Sequence, residues 1–170
     1  MAALPPMTSP VLTRRRWKLH AHNQHIVIVR GERERITHPL LKAFLWALYL
    51  PQYPQITVEV PVQDRYKPDV VAFDPARAAF THQPAFWGEA GQVSAEKVAA
   101  LVRRYPDTHF AIAKWDTPLS SVRPWVEDAL RGVRRCAPFD LINVPDACAE
   151  CIDADGRITI TFDDVERLTL

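Results

Sequence analysis

Proline is the residue that most limits how this chain folds. There are fifteen, against five glycines. Proline fixes φ at about −65° and carries no amide donor, so it breaks helices and inner strands and marks the joints between elements. Pro39 suits a first helical turn after Thr37, and Pro51 ends the helix that follows. Pro68 is tolerated only at the first residues of a strand or on an edge. Pro106 stops a second helix. Three prolines within the first thirteen residues leave little pattern there, and residues 1–13 read as a loosely attached tail ahead of one domain over 14–170.

Between these joints the pattern is a mixed one. Arg14 to Leu19 alternates, and Gln24–Arg30 is rich in β-branched residues, which predicts an N-terminal hairpin. Leu40, Leu41, Phe44, Leu45 and Leu48 recur at spacings of three and four, the period of a helix with a wide apolar face. Three strand patterns follow at Ile56–Val62, Lys67–Asp74 and Ala85–Gly91. Ser94 caps a helix carrying Val98, Leu101, Val102 and Tyr105, and His109–Trp115 is a further strand. Ser120 or Ser121 opens a helix to about Val133, Phe139–Val144 is the next strand, and Asp155-Gly156 turns a C-terminal hairpin over Cys151–Phe162. The sum is an α/β (α+β) domain, a mixed sheet flanked by helices with a hairpin at each end.

Lys and Arg number 21 against 20 Asp and Glu, a net charge of +1. That excludes a broadly basic coat for nucleic acid and leaves room for a local basic groove. No apolar run reaches the roughly 20 residues of a membrane span; the longest lies around Ala43–Leu50. The first residues lack the charged-then-apolar layout of a signal peptide, and three cysteines do not make a disulfide framework, so a reducing cytoplasm is expected.

Two acids carry the chemistry. If Lys67–Asp74 and Ala85–Gly91 pair antiparallel so that position 74 opposes 84, then Asp69 opposes Glu89. Residues so opposed bring their Cβ atoms to roughly 4.5–5.5 Å on one face. Two carboxylates that close repel unless a proton or cation lies between them. Mg²⁺ or Mn²⁺ suits such a pair, taking the carboxylates and filling its shell with water and phosphate oxygens. Lys97, in the first turn of the next helix, borders the buried stripe and can reach the strand ends. Gln92 offers an amide to the same place.

The order helix, three strands, helix, strand, with Pro68-Asp69 and an acid on the following strand, resembles the PD-(D/E)XK (restriction-endonuclease-like) nuclease superfamily. Within it, Trp87-Gly88-Glu89-Ala90-Gly91-Gln92 with Lys97 downstream is similar to the signature of YaeQ-like proteins, and the likeness spans roughly residues 37–115. It implies metal-dependent phosphodiester hydrolysis in DNA or RNA, with Asp69 and Glu89 as metal ligands. The superfamily's usual lysine falls at Gly91 here, and Lys97 is the relocated candidate. The glutamate that the first helix often contributes is missing from Leu40–Leu50, and the nearest, Glu34, precedes it. The alternatives are a nuclease fold kept as a nucleic-acid- or protein-binding module without catalysis, and a scaffold subunit pairing through the terminal hairpin. The oligomeric state stays open, a homodimer included.

The remaining candidates have plainer readings. Cys148-x-x-Cys151 has zinc-ligand spacing, with Cys136 upstream, but no second pair, and reads as small buried thiols. His20, His22 and His25 read as polar hairpin residues, and Arg131, Arg134 and Arg135 as a solvated face. Trp17, Trp46, Trp115 and Trp125 fit core positions, while Trp87 shares a face with Glu89 and either packs beside the site or stacks on a base.

Overall fold

The structure, a computed structural model, describes residues 9–170 except 79 and 81. Strands β1 (Arg16–Ala21) and β2 (Gln24–Val29) pair antiparallel around His22 and Asn23. Both turn residues have positive φ, 49° and 63°, as a two-residue hairpin turn twisted with its strands demands. Trp17, Leu19 and Ala21 point inward from β1 while Arg16, Lys18 and His20 alternate outward. Residues 1–8 of the expected tail lie outside the described residues. Pro10–Thr13, also assigned to the tail, forms a turn of 3-10 helix with Val11 and Leu12 buried in the core, because two apolar side chains here meet the hairpin. The attached chain therefore begins before Arg14.

Helix α1 (Thr37–Tyr49) is buried almost all round. It lies against a six-stranded sheet of order β3 (Thr57–Val58), β4 (Val70–Ala72), β5 (Phe86–Ala90), β6 (His109–Trp115), β7 (Phe139–Val144) and β8 (Glu166–Thr169). The β3–β4, β4–β5 and β7–β8 pairs are antiparallel, and β5–β6 and β6–β7 are parallel. A short α2 (Pro75–Ala78) occupies the β4–β5 connection, and α3 (Ala95–Arg104) and α4 (Leu119–Leu130) make the two parallel crossovers. The sheet divides two cores. Val70, Ala72, Phe86 and Ala90 face α1 and the hairpin, whereas Trp87, Ile112 and Leu141 face α3 and α4. Strands buried on both faces read as continuous apolar runs, as in β4 and β5. At Gly88 a Cβ would stand 3.2 Å from Val70 Cβ and 3.3 Å from Leu45 Cδ1, so glycine lets α1 settle on the β4–β5 pair.

Several elements differ from expectation. The strand expected over Ile56–Val62 is ordered as a ladder only at Thr57–Val58, because Glu59 has φ 58° and Pro61 lacks a donor. The C-terminal turn forms as expected, with Ile152 opposite Ile158, but β8 was not foreseen. It closes the sheet over Asp140, whose fully buried carboxylate accepts from Tyr49 at 2.5 Å, Thr169 at 2.6 Å and Arg167 at 3.0 Å, with His109 Nε2 at 2.8 Å. Burial alone raises a carboxyl pKa; here the bonds from His109, Thr169 and Tyr49 outweigh it and hold Asp140 well below the usual range. Arg135, expected on a solvated face, is half-buried and donates to the carbonyls of Tyr105 and Thr108 while lying over the Phe110 ring. Cys148 is buried and Cys151 half-buried, and burial pushes the Cys148 thiol up to about 12. Among the described residues no helix is long and apolar enough to cross a membrane.

Candidate active site

The β4–β5 register runs Val70 with Gly88, Val71 with Trp87 and Ala72 with Phe86. The ladder ends at Val70 and Gly88, one residue short of the Asp69–Glu89 opposition that the alternation of the two strands predicts. The Asp69 amide donates to the Gly88 carbonyl at 3.1 Å, so Asp69 and Val70 share Gly88 across the strands and the regular ladder stops there. Pro68, next along the chain, has no donor to continue the pairing. Both acids therefore sit at one end of a rigid two-strand unit.

Each carboxylate takes its cations from a different helix. Glu89, 5 % exposed, lies on the α3 side. Its Oε1 accepts from Lys97 Nζ at 2.7 Å and from Trp87 Nε1 at 2.7 Å. Ser94 caps α3 by accepting from the Lys97 amide at 3.1 Å, so the cap that starts the helix also sets where Lys97 stands. Asp69 turns the other way. Its Oδ2 accepts from the Ala90 amide at 2.8 Å, and its Oδ1 lies 3.4 Å from His38 Nε2 and 3.9 Å from Lys42 Nζ, both on α1. Lys42 also reaches Glu59 at 2.7 Å and Glu34 at 3.4 Å, and His38 Nδ1 lies 2.5 Å from Glu34 Oε1. Glu59 holds its positive φ where its amide bonds the Asp69 carbonyl at 2.9 Å, a strained backbone at the site itself.

These contacts set the charges. The bond to Asp69 raises the His38 pKa above its ordinary value. Burial opposes the charge on Lys42, but Glu59, Asp69 and Glu34 outweigh it and hold the ammonium firmly protonated. Asp69 is burdened by burial yet held below the usual carboxylate range by His38, the Ala90 amide and Lys42. Glu89 moves in the opposite direction: burial raises it, Lys97 and Trp87 offset only part, and the nearby Asp69 charge adds to the rise. Two neighbouring carboxylates are thus driven apart in proton affinity.

Of the residues nominated from sequence, Glu89 and Lys97 meet, and Asp69 lies near enough to act on the Glu89 charge while its own contacts are with α1. Gln92 is exposed, lines the adjoining cleft, and among the described residues makes no hydrogen bond to either acid. Trp87 packs beside the site, fully buried and stacked on Tyr105 at 5.9 Å, so it is not free to stack on a base. Trp17 and Trp46 are core residues, but Trp115 and Trp125 are half-buried and line the cleft. Sequence reasoning missed His38, Lys42 and Glu59, and named Glu34 only as the acid nearest the first helix, with no role at the site. The signal was present: Glu34, His38 and Lys42 recur every four residues, one face of a helix and its approach, and Lys42 interrupts an otherwise apolar segment. Glu34 also supplies, from ahead of α1, an acid that the helix itself lacks.

A cleft of about 790 Å³ opens beside these groups, between the N-terminal ends of α1 and α4 and over the C-terminal ends of β5 and β6. Ligand crevices of open α/β sheets lie at such strand ends. Among the described residues no three or more His, Cys, Asp or Glu side chains are arranged to hold a metal ion. Asp69 and Glu89 supply two hard oxygen donors, a set that fits Mg²⁺, which binds through one or two carboxylates and completes its shell with water and phosphate.

No family model matches the chain, and no curated protein does. Solved structures do. The YaeQ protein from Pseudomonas syringae superposes with a TM-score of 0.54 at 14% identity, covering 85% of this chain and 81% of that one. The YaeQ protein from Xanthomonas axonopodis pv. citri gives 0.53 at 17% identity, covering 92% of this chain and 93% of that one. At such identities the likeness is one of architecture, and the chain has a YaeQ-like fold.

Proposed function

We propose that the chain is a divalent-metal-dependent nuclease of the PD-(D/E)XK type, hydrolysing phosphodiester bonds in nucleic acid. Asp69 and Glu89 would hold Mg²⁺ or Mn²⁺. Bound there, the ion polarises a phosphoryl oxygen and lowers the pKa of a coordinated water. Lys97, already 2.7 Å from Glu89, orients the attacking water and meets negative charge as it develops on phosphorus. Gln92 steadies the substrate from the cleft wall. His38 and Lys42 keep Asp69 ionised and fixed, so it is ready to ligate at neutral pH.

The observation that carries this reading is that Asp69 and Glu89 sit at one end of the β4–β5 pair, near enough for the Asp69 charge to raise the Glu89 pKa, with a lysine on one of them. The test is cleavage of end-labelled DNA and RNA oligonucleotides with Mg²⁺ or Mn²⁺. Cleavage is expected to stop in chelator and in both Asp69→Ala and Glu89→Ala while the fold persists. Cleavage retained in both variants refutes it.

A second reading, a nuclease fold kept for binding alone, is favoured by a different observation. Asp69 and Glu89 each already meet a cation of the chain within 4 Å. Binding of the same oligonucleotides with no cleavage at any divalent ion concentration is its expected result.

A further inference from the structure

The cleft holds cations and aromatic rings that the proposed hydrolysis does not use. Lys114, near the end of β6, reaches across to β5 and donates to the Gly91 carbonyl at 2.5 Å. Among the described residues no carboxylate lies within 4 Å of it, unlike Lys42 and Lys97. Burial lowers its pKa, so an incoming anion would relieve a cost that the chain leaves standing. Arg35, at the other rim, is exposed and likewise lacks a carboxylate partner among the described residues.

Two of the five tryptophans face this cleft. Trp17, Trp46 and Trp87 are 0–1 % exposed, the ordinary fate of an indole in a domain of this size. Trp115 and Trp125 are instead half-buried at the cleft wall. Trp115 is pinned, stacked with Phe44 and with its indole N–H donating to Asp146. Trp125 lies on α4 with the Lys114 ammonium 6.0 Å from its ring centroid, which places a cation and a π surface side by side. Alternation of cation and aromatic ring is the chemistry that takes a phosphate and an unstacked base together. In a duplex the base faces cover one another, so an indole reaches them only where a strand is unpaired. The net charge of +1 gives no general attraction for polyanions, so recognition must be local to this cleft.

We propose that the cleft between the N-terminal ends of α1 and α4 binds an unpaired segment of nucleic acid, with Lys114 and Arg35 on the phosphates and Trp125 on a base. This deepens the nuclease reading by naming the form of its substrate, and it rests on that reading only for the bond that is cut. The cleft adjoins the acids through His38, which lines it and touches Asp69.

The test is fluorescence anisotropy with labelled oligodeoxythymidylate, free and annealed to oligodeoxyadenylate, in chelator so that nothing is hydrolysed. The single strand is expected to bind more tightly than the duplex. Trp125→Leu weakens the single strand by at least about fivefold. Lys114→Met lowers the slope of log K against log salt by about 0.7, the loss of one phosphate contact. Exposed Arg35→Gln does the same and stands in if Lys114→Met fails to fold. Lys18→Met, an exposed charge on β1, changes nothing. Equal or tighter duplex binding, no binding by the wild type, or indifference to Trp125→Leu and to both cation variants overturns the proposal. A chain that binds as described yet never cuts leaves this inference standing and sinks the nuclease; a chain that cuts while ignoring these variants does the reverse.

Discussion

Lys42 tests the electrostatic account of the site most sharply on the side of stability. Its side chain is 5 % exposed, and its ammonium serves Glu59 at 2.7 Å, Glu34 at 3.4 Å and Asp69 at 3.9 Å. Breaking a buried ion pair from one side costs about 3–5 kcal/mol, mostly because the remaining charge is left unpaired. Here the orphaned acids keep other partners. Glu34 retains the Gly31 amide at 2.8 Å and His38, Asp69 retains the Ala90 amide and His38, and Glu59 is 37 % exposed and can turn to water. Lys42→Met also fills the same channel and removes the cost of burying an ammonium. The expected loss is therefore below the full range, about 2 kcal/mol at pH 7. Lys42→Ala gives up about three buried methylenes as well, at about 0.8 kcal/mol each, and should lose about 4 kcal/mol. Urea unfolding measures both. The pH dependence adds a signature. Glu34 and Asp69 have pKa values depressed by folding, so their contribution is present above their unfolded values of 4.5 and 3.8 and is lost as pH falls through the folded ones. Without Lys42 those depressions shrink, and the acid limb of stability becomes flatter. Wild-type stability in Lys42→Met at pH 7, with an unchanged acid limb, would mean that Lys42 does not hold these acids in the folded chain.

Three further outcomes follow from the same contacts. His38 has a raised pKa, so its pairing stabilises the fold below the unfolded value of 6.5 and fades as pH rises through the folded one; the gap between wild type and His38→Gln should shrink from pH 6 to pH 9, and it stays under about 1 kcal/mol because over a third of the ring is in water. Glu89 also has a raised pKa, which for an acid means stability lost as pH rises through it; Glu89→Gln should remove that loss, leave stability at pH 7 within about 1 kcal/mol of wild type or above it, and abolish cleavage, as urea unfolding and the oligonucleotide assay would show. Asp140→Asn strips charge from an acceptor shared by Tyr49, His109, Arg167 and Thr169 and should cost about 3 kcal/mol in urea unfolding, far from the cleft.

The parts of the fold visible in the sequence were those written in side-chain period. The placement of Asp69 and Glu89 at one end of the strand pair was legible because both strands are apolar beside them, but not their departure from direct opposition: the Asp69 amide bonds Gly88, and the two carboxylates leave toward α1 and α3. Helices α1, α3 and α4 were legible from their stripes and from the cap at Ser94. What escaped was fixed by tertiary contact. Strand β8, Glu166–Thr169, carries mostly polar side chains and exists because β7 offers it an edge and Asp140 offers Thr169 and Arg167 an acceptor. Glu59 looked like one more strand residue until its backbone turned to meet Lys42 and Asp69. Lys42 itself was hidden by its apolar neighbours, since period alone does not tell a buried lysine from an exposed one. Trp115 and Trp125 matched core spacing and yet line the cleft, because α4 starts at its rim and not beneath it.

On the proposed reading, Asp69 and Glu89 act as one site for a divalent ion. Calorimetric titration of the intact chain with Mn²⁺ tests it most directly. Saturable heat is expected at millimolar metal or below, absent from both Asp69→Asn and Glu89→Gln while their melting curves stay cooperative. Heat that is missing from the wild type, or that survives in both variants, contradicts it.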